Sequence, residues 1–132
     1  MRSLLVDTGP LYALLDPDDA HHDEAHDQLR RSYEIAPTLS VAYPTLLETY
    51  TLVMRRLGAR VAQRWLRDAN EGLGLINPTA QDYASAALLV QRYPDQMITL
   101  FDTTIAVISE ALDLPVWTFD SDFDVMKAKV WR

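Results

Sequence analysis

The apolar positions of this chain fall into short uniform runs that alternate with longer segments of helical spacing. The short runs predict strands at residues 2–6, 37–41, 73–77 and 115–119, with an edge strand at 130–131. The longer segments predict helices at residues 10–15, 22–33, 44–57, 59–70, 80–92 and 102–112. Uniformly apolar strands that alternate with helices are typical of a parallel sheet covered on both faces. The pattern therefore predicts an α/β protein of three layers, with a short, mostly parallel central sheet of four to five strands.

The helix predicted at residues 44–57 has a strong apolar periodicity. Pro44 is well placed to open it, and Gly58 separates it from the next helix. Side chains three to four positions apart form an apolar stripe along it, made of Leu47, Tyr50, Met54 and Leu57. We expect this stripe to be the inner face of the helix.

Length and composition indicate one domain that spans residues 1–132. The chain is 48% hydrophobic, which is ordinary for a globular protein, and 132 residues can bury a self-sufficient core. It contains no cysteine, which excludes a disulfide framework and a cysteine-based zinc site. Neither a secretory signal nor an apolar stretch long enough to cross a bilayer is visible. We expect a cytoplasmic protein that does not associate with membranes.

The net charge of −7 argues against broad, nonspecific binding to nucleic acid. It does not exclude a nuclease, because an acidic metal site contributes several of the negative charges. The basic residues are uneven: arginines recur every three or four positions at Arg56, Arg60, Arg64 and Arg67. If one helix continued through Gly58, they would form a single basic stripe. Such a stripe could follow RNA phosphates, contact an acidic partner, or be a solvated helical face.

Four acidic residues occupy comparable places along the predicted fold. Asp7 ends the first strand, Asp120 follows the strand at 115–119, Asp102 is expected to open a helix, and Glu48 lies within one. Each has an ordinary alternative, since aspartate caps helices and forms turns and Glu48 could face solvent. Functional groups of parallel sheets gather beyond the carboxyl ends of the strands. Four carboxylates gathered there would repel one another unless a divalent cation such as Mg²⁺ or Mn²⁺ held them.

The segments around these acids resemble the successive acidic motifs of PIN-domain proteins. They read Val6-Asp7-Thr8-Gly9-Pro10, Thr45-Leu46-Leu47-Glu48-Thr49-Tyr50, Asp102-Thr103-Thr104-Ile105-Ala106 and Thr118-Phe119-Asp120-Ser121-Asp122-Phe123. The set spans essentially the whole chain in the family's order, and it is most similar to the VapC-type toxins of toxin–antitoxin pairs. Each motif is weak alone, whereas the ordered set is specific.

The resemblance implies a Mg²⁺- or Mn²⁺-dependent endoribonuclease that hydrolyses RNA phosphodiester bonds. The four acids of the family would correspond to Asp7, Glu48, Asp102 and Asp120. Thr8 and Thr118 would orient carboxylates, as would Asp122, and the sequence leaves open whether Asp120, Asp122 or Asp124 is the fourth acid in contact. With RNA as the substrate, the arginines of the basic stripe that are candidates for contact with it are Arg56, Arg60 and Arg64, beside the two alternatives given above. The resemblance also implies a cognate antitoxin protein and a homodimer.

Other interpretations remain open at this stage. A non-catalytic interaction domain could retain the same acidic pocket, and it would show weak metal affinity and no metal-dependent cleavage. A zinc site on His22 and His26, four residues apart on one helix, is disfavoured because Asp follows the first histidine and no third ligand is evident. A phosphohydrolase with an aspartyl nucleophile is disfavoured because Gly9 occupies the place of its second aspartate.

Overall fold

All five predicted strands form in the computed structural model, which describes residues 2–132. The strands are β1 (Ser3–Val6), β2 (Thr38–Ala42), β3 (Gly74–Ile76), β4 (Val116–Trp117) and β5 (Val130–Trp131). The helices are α1 (Thr8–Leu15), α2 (His22–Ile35), α3 (Tyr43–Leu57), α4 (Ala59–Gly72), α5 (Ala80–Val90), α6 (Leu100–Leu112) and α7 (Asp122–Val125). The predicted α/β class is confirmed, with a central sheet of five strands.

The strands pair in the order β3-β2-β1-β4-β5, and every pairing is parallel. The chain builds outward from β1 through β2 to β3, then returns to the other side of β1 for β4 and β5. The order therefore reverses between β1 and β4, which pair through Leu5 with Val116 and Val6 with Trp117. Ligands of open parallel sheets bind beyond the carboxyl ends of the strands at such a reversal. Asp7 and the segment from Thr118 to Asp120 leave β1 and β4 at this place.

Alternating strand residues supply the two faces of the sheet, as the pleat requires. Val6 and Trp117 pack in one cluster with residues of α1, α2, α3 and α4. Leu5 and Val116 pack in another with residues of α6 and α7, and Leu89 of α5 lies against it. This places helices on both faces and confirms the predicted three-layer arrangement. Among residues 2–132, no helix combines the length and the apolar character that a membrane span requires.

Two helix starts differ from the prediction because of capping, and one short helix was not predicted. Helix α1 begins at Thr8 rather than Pro10, with Asp7 as its N-cap. Helix α6 begins at Leu100, since Thr99 caps it, so Asp102 is its third residue and does not open it. In place of a simple turn after Asp120, residues 122–125 form the short helix α7.

The predicted inner stripe of α3 is wrong for two of its four members, since Tyr50 and Leu57 are half-buried and pack against the core. Leu47 and Met54 are exposed, whereas Leu46 and Val53, one position earlier in each turn, are buried. Both stripes are apolar and have helical spacing, so periodicity alone cannot decide which one faces the sheet. The choice is made by the direct passage of β2 into α3, which fixes the rotation of the helix. An apolar stripe is therefore left on the outside of α3.

The condition for one continuous basic stripe is not met, because α3 and α4 are separate helices, as predicted. Gly58 has a φ of +97°, in the region that favours glycine, and it ends α3 and precedes α4. Arg56 therefore lies on a different helix from Arg60 and Arg64. Its guanidinium lies 5.1 Å from the centroid of the Tyr12 ring, while Arg60 and Arg64 are exposed on α4.

Candidate metal centre

Asp7 is the most buried of the four predicted acids. Only 8% of its surface is exposed, because it sits between the end of β1 and the first turn of α1. The backbone N–H of Thr8 donates to Oδ1 of Asp7 at 2.9 Å, and the hydroxyl of Thr118 donates to Oδ2 at 2.8 Å. Its own N–H donates to the carbonyl of Trp117 at 3.0 Å. The carboxylate is thus held in one orientation by the start of α1 and by the residue that follows β4.

Glu48 reaches the same place from the first half of α3. The hydroxyl of Thr8 donates to its Oε1 at 2.5 Å, and the hydroxyl of Thr49 donates to that of Thr8 at 3.2 Å. Thr8 therefore connects the acid on α3 to the helix that Asp7 caps. Hydrogen bonds of this kind fix the direction of a carboxylate before any ligand arrives.

Asp102 is oriented by a capping box. Its backbone N–H donates to the hydroxyl of Thr99 at 3.2 Å, and the N–H of Thr99 donates to its Oδ2 at 3.3 Å. The N-terminus of α6 therefore places this carboxylate at the pocket, and the positive end of the helix dipole favours its charge. Asp102 therefore both caps α6 and lines the pocket.

The segment that follows β4 brings Asp120 and Asp122 next to Asp102. The N–H of Asp120 donates to the hydroxyl of Thr118 at 2.9 Å, and the N–H of Asp122 donates to Oδ1 of Asp120 at 2.9 Å. Carboxylate oxygens of Asp102, Asp120 and Asp122 lie within 4.8 Å of one another. Asp124 instead pairs with Arg132 at 2.7 Å and is exposed. Both Asp120 and Asp122 therefore approach the cluster, and Asp124 does not.

These side chains surround one cavity of about 420 Å³, which we call the acidic pocket. It is lined by Asp7, Thr8, Gly9, Glu48, Thr99, Asp102, Phe119 and Asp120. Burial raises the pKa of Asp7 to about 6, against the lowering effect of its bonds from Thr118 and Thr8, and the charges of Asp102 and Glu48 add to the rise. Burial also raises the pKa of Asp102, helped by the charges of Asp120 and Asp122. The pocket therefore carries negative charge that its own side chains do not neutralise.

The donor set fits a hard divalent cation. Its ligand atoms are carboxylate oxygens, which Mg²⁺ and Mn²⁺ prefer, and the pocket lining contains neither histidine nor cysteine. Each of the four acids that line the pocket accepts a hydrogen bond from the protein, as the carboxylates of metal sites usually do. Burial is the main cause of the raised pKa values of Asp7 and Asp102, and a cation there would favour the ionised carboxylates against both burial and mutual repulsion.

The histidines of α2 serve the fold instead of a zinc site. Nδ1 of His22 donates to the carbonyl of Ala13 at 2.6 Å, and Nε2 of His26 donates to the carbonyl of Leu14 at 3.0 Å. Both rings thereby bind the last turn of α1, whose carbonyls lack helical partners. Within residues 2–132, these histidines belong to no group of three metal-ligating side chains.

Sequence reasoning did not single out Thr99 and Thr49. Thr99 was detectable, because Thr-x-x-Asp before an apolar segment is a capping-box pattern. Thr49 carries no local signal, since its contact with Thr8 joins positions 41 residues apart. The arginines predicted to bind RNA lie outside the acidic pocket: Arg56, Arg60 and Arg64 are absent from its lining.

A second cavity adjoins the acidic pocket at Glu48. It measures about 750 Å³ and lies between α3, α5 and α6. We call it the apolar groove; it is lined by Tyr43, Pro44, Leu47, Glu48, Thr51, Asn77, Tyr83, Ala86, Ala87, Leu100, Phe101 and Thr104. Among these, Glu48 is the one charged residue.

Comparison with known proteins identifies the family and the fold. The sequence matches the PIN domain family over residues 4–129. The fold matches Mycobacterium tuberculosis VapC20, a sarcin-ricin loop cleaving toxin, with a TM-score of 0.83 at 23% identity over 95% of each chain. It matches VapBC2 from Rickettsia felis, solved with a promoter DNA fragment, with a TM-score of 0.76 at 15% identity over 98% of this chain and 97% of that one. No curated protein gave a significant sequence match.

A third solved structure shares the fold across most of both chains. It is a toxin–antitoxin complex from Klebsiella pneumoniae, which matches with a TM-score of 0.66 at 22% identity, over 91% of this chain and 89% of that one. At these identities the structural matches establish the fold, and the family match covers nearly the entire sequence. The chain therefore belongs to the PIN domain family, and its fold is that of VapC toxins.

Proposed function

We propose that this protein is a metal-dependent endoribonuclease of the VapC toxin type. The observation that carries the proposal is the convergence of Asp7, Glu48, Asp102 and Asp120 on one pocket at the sheet's reversal point. These residues would hold Mg²⁺ or Mn²⁺, with Asp122 close to the same cluster. When bound, such an ion supplies activation of water and neutralisation of charge on the scissile phosphate.

The protein's own contribution is the preparation of the carboxylates. Thr118 and the N–H of Thr8 hold Asp7, and the hydroxyl of Thr8 holds Glu48. The N–H of Thr99 holds Asp102. Because these three acids are each oriented by a partner outside the metal cluster, most of the site is arranged before the ion or the RNA binds.

RNA as the substrate rests on the family and on the toxin activity named for Mycobacterium tuberculosis VapC20. Within this chain, Arg60 and Arg64 on the exposed side of α4 offer guanidinium groups to phosphates. They stand outside the acidic pocket, so their contribution is to the affinity for the substrate's flanks and not to the reaction.

The nuclease proposal is tested by incubating RNA with the protein and Mg²⁺ or Mn²⁺, with and without a chelator, and by comparing Asp102→Asn. We expect cleavage by the wild-type protein that the chelator and the substitution both abolish. A calorimetric Mn²⁺ titration separates this proposal from a non-catalytic interaction domain. Weak Mn²⁺ binding together with no metal-dependent cleavage would support the interaction domain instead.

An antitoxin is the proposed protein partner, because the Klebsiella pneumoniae toxin–antitoxin complex and VapBC2 contain the same fold. The net charge of −7 and the acidic pocket favour a partner segment that brings a basic side chain. A small gene beside this one should encode it, and the two products should copurify when coexpressed. We expect the copurified complex to cleave RNA more slowly than the free protein.

A homodimer formed through the apolar groove is the proposed assembly. Helix α5 is largely apolar, yet Ala86 is its one buried residue. Five large side chains of the groove lining, from α3, α5 and α6, are between 40% and 65% exposed: Tyr43, Leu47, Tyr83, Leu100 and Phe101. At about 200 Å² for each whole side chain, they present roughly 500 Å², which is near the upper end of the largest apolar patch on a typical monomer and more than half of the ~800 Å² of a standard interface partner.

The charge of this surface favours a second copy of the chain over a nucleic acid. Glu48 is the one charged residue in the groove, so the groove lining offers no positively charged side chain to a phosphate. Two copies that each carry −7 repel through most of their surfaces, and an uncharged face is where they can meet. Light scattering after size exclusion should give a mass of about twice 15.0 kDa. A single-copy mass at micromolar concentration would contradict the assembly.

A further inference from the structure

One ring of a stacked aromatic pair lines the acidic pocket, and the proposed metal chemistry uses neither ring. Phe119 lines the pocket and directly precedes Asp120. The imidazole of His21 stacks on its ring, with centroids 4.2 Å apart and planes inclined by only 10°. Beside the carboxylates there is thus a flat, layered surface made of two rings.

The ring of His21 is held in place and is accessible at the same time. Its Nδ1 lies 3.2 Å from Oε2 of Glu24, which restrains the plane of the imidazole. Phe119 covers one face of the ring, and 50% of the His21 side chain remains exposed. On the pocket side, a Cβ at Gly9 would lie 3.6 Å from the Phe119 ring, so this ring fills the space between Gly9 and His21.

We propose that His21, supported by Phe119, is a stacking platform for an unpaired nucleobase of the RNA substrate. The proposal rests on the ribonuclease function proposed above, and it names single-stranded RNA as the substrate class. Unpaired bases bind proteins by stacking on aromatic and histidine rings, and such stacking tolerates any base. It would place a nucleotide beside the scissile phosphate while that phosphate lies at the metal ion that the carboxylates would hold.

Charge favours a stacking contact over an ion pair at this position. The carboxylates of the acidic pocket repel every RNA phosphate other than the one neutralised by the metal ion. Glu24 accompanies the imidazole, so His21 offers little net positive charge to a phosphate. A contact through the π-face needs no cation, and it adds affinity in an otherwise acidic region.

The test compares steady-state cleavage of a short single-stranded RNA by the wild-type protein, His21→Ala and His21→Phe. The alanine variant should raise KM roughly tenfold, as the loss of one base stack does, with kcat changed less than about twofold. The phenylalanine variant keeps a ring without charge, and it should restore KM. Tyr33→Ala is the matched control, because this exposed aromatic lies on the helix that directly follows His21, close to its far end.

Two further measurements keep the outcome decisive. The Mn²⁺ affinity measured by calorimetry should be the same in all four proteins. Fluorescence anisotropy of a labelled RNA measures binding independently of cleavage, and it should show a tenfold lower RNA affinity for His21→Ala. An unchanged KM and unchanged anisotropy for His21→Ala overturn the platform, while cleavage by the wild type leaves the ribonuclease proposal intact. A loss of kcat and Mn²⁺ affinity at constant KM also overturns it, since the stack would then only support the loop of Asp120.

Discussion

The acidic pocket and the apolar groove are neighbours that share Glu48, yet they are built in opposite ways. The pocket holds about 420 Å³, and its carboxylates each accept hydrogen bonds from the protein. The groove holds about 750 Å³, and its lining is apolar apart from a few polar side chains. The side chains of the acidic pocket are held by hydrogen bonds, but the pocket lacks a positive charge to balance its carboxylates. The apolar groove instead lacks a surface that covers it. The first is therefore suited to a cation and the second to a protein.

The difference shows how one edge of a sheet can serve two roles. Asp7, Thr118 and Asp120 are placed by strand ends, where the backbone leaves no freedom. Tyr43, Leu47 and Tyr83 are placed by the outer faces of helices, which tolerate rotation and substitution. If the two regions are independent, substitutions in the pocket should change metal binding and cleavage without changing mass. Substitutions in the groove should do the reverse.

The largest effect is expected for Asp7→Asn. Loss of a group that merely supports a ligand commonly costs 10- to 100-fold in activity, so loss of the central carboxylate should cost more than about 100-fold. Cleavage of RNA in Mn²⁺ would measure this, with size exclusion confirming an unchanged assembly. Residual activity within tenfold of the wild-type value would show that Asp7 is not a metal ligand of the active site.

The same substitution should stabilise the metal-free protein at neutral pH. Folding raises the pKa of Asp7 from 3.8 to about 6, so its contribution to stability is full below pH 3.8 and is lost as the pH rises through 6. Ionised Asp7 thus costs up to about 3 kcal/mol above pH 6. An amide in place of this carboxylate removes that cost but accepts fewer of the hydrogen bonds, which offsets part of the gain. We therefore expect the free energy of unfolding at pH 7.5 to rise by an amount on the order of 1–3 kcal/mol. Urea denaturation in a chelator at pH 7.5 and pH 4 would show whether the gain disappears at the lower pH, as this account requires.

The groove is tested by Leu47→Glu. A second carboxylate beside Glu48 would be buried without a partner in the dimer, at a cost of about 3 kcal/mol, which raises the dissociation constant roughly 100-fold. Sedimentation equilibrium measures that constant. Ile35→Glu is the matched control, because Ile35 is an exposed apolar residue at the end of α2, outside the groove. Equal dissociation constants for both variants would place the interface elsewhere.

How far the sequence could predict each region follows from the range of the interactions. Asp7, Glu48, Asp102 and Asp120 were predictable because strand ends and motif order bring them to one edge. The contact between Thr118 and Asp7 joins residues 111 positions apart, and only the pairing of β1 with β4 makes it. The groove was hidden for another reason: α3 carries two apolar stripes, and periodicity does not say which one the sheet buries.

A smaller effect is expected for Thr118→Val. The substitution keeps the shape of the side chain but removes the hydroxyl that donates to Asp7 and accepts from the N–H of Asp120. Mn²⁺ affinity should fall roughly 10- to 30-fold, while the mass of the assembly stays unchanged. Thr104→Val is a suitable control, since the hydroxyl of Thr104 bonds only within α6, to the carbonyl of Leu100. A calorimetric titration in which the two variants behave alike would separate Thr118 from metal binding.

The acidic pocket and the apolar groove should also differ in their response to pH, and this is the smallest of the expected effects. Because burial raises the pKa of Asp7 to about 6, metal binding below that pH must displace a proton from this carboxyl. The apparent affinity should be nearly constant above pH 7 and should fall about tenfold for each pH unit below 6. The carboxyls whose pKa is raised, those of Asp7, Asp102 and Asp122, lie outside the groove lining, so the dimer dissociation constant should stay flat over the same range. Calorimetric titrations at pH 5, 6, 7 and 8 measure the Mn²⁺ affinity, and sedimentation at the same pH values measures the dimer dissociation constant. Parallel changes in these two constants would mean that the pocket and the groove act as one unit.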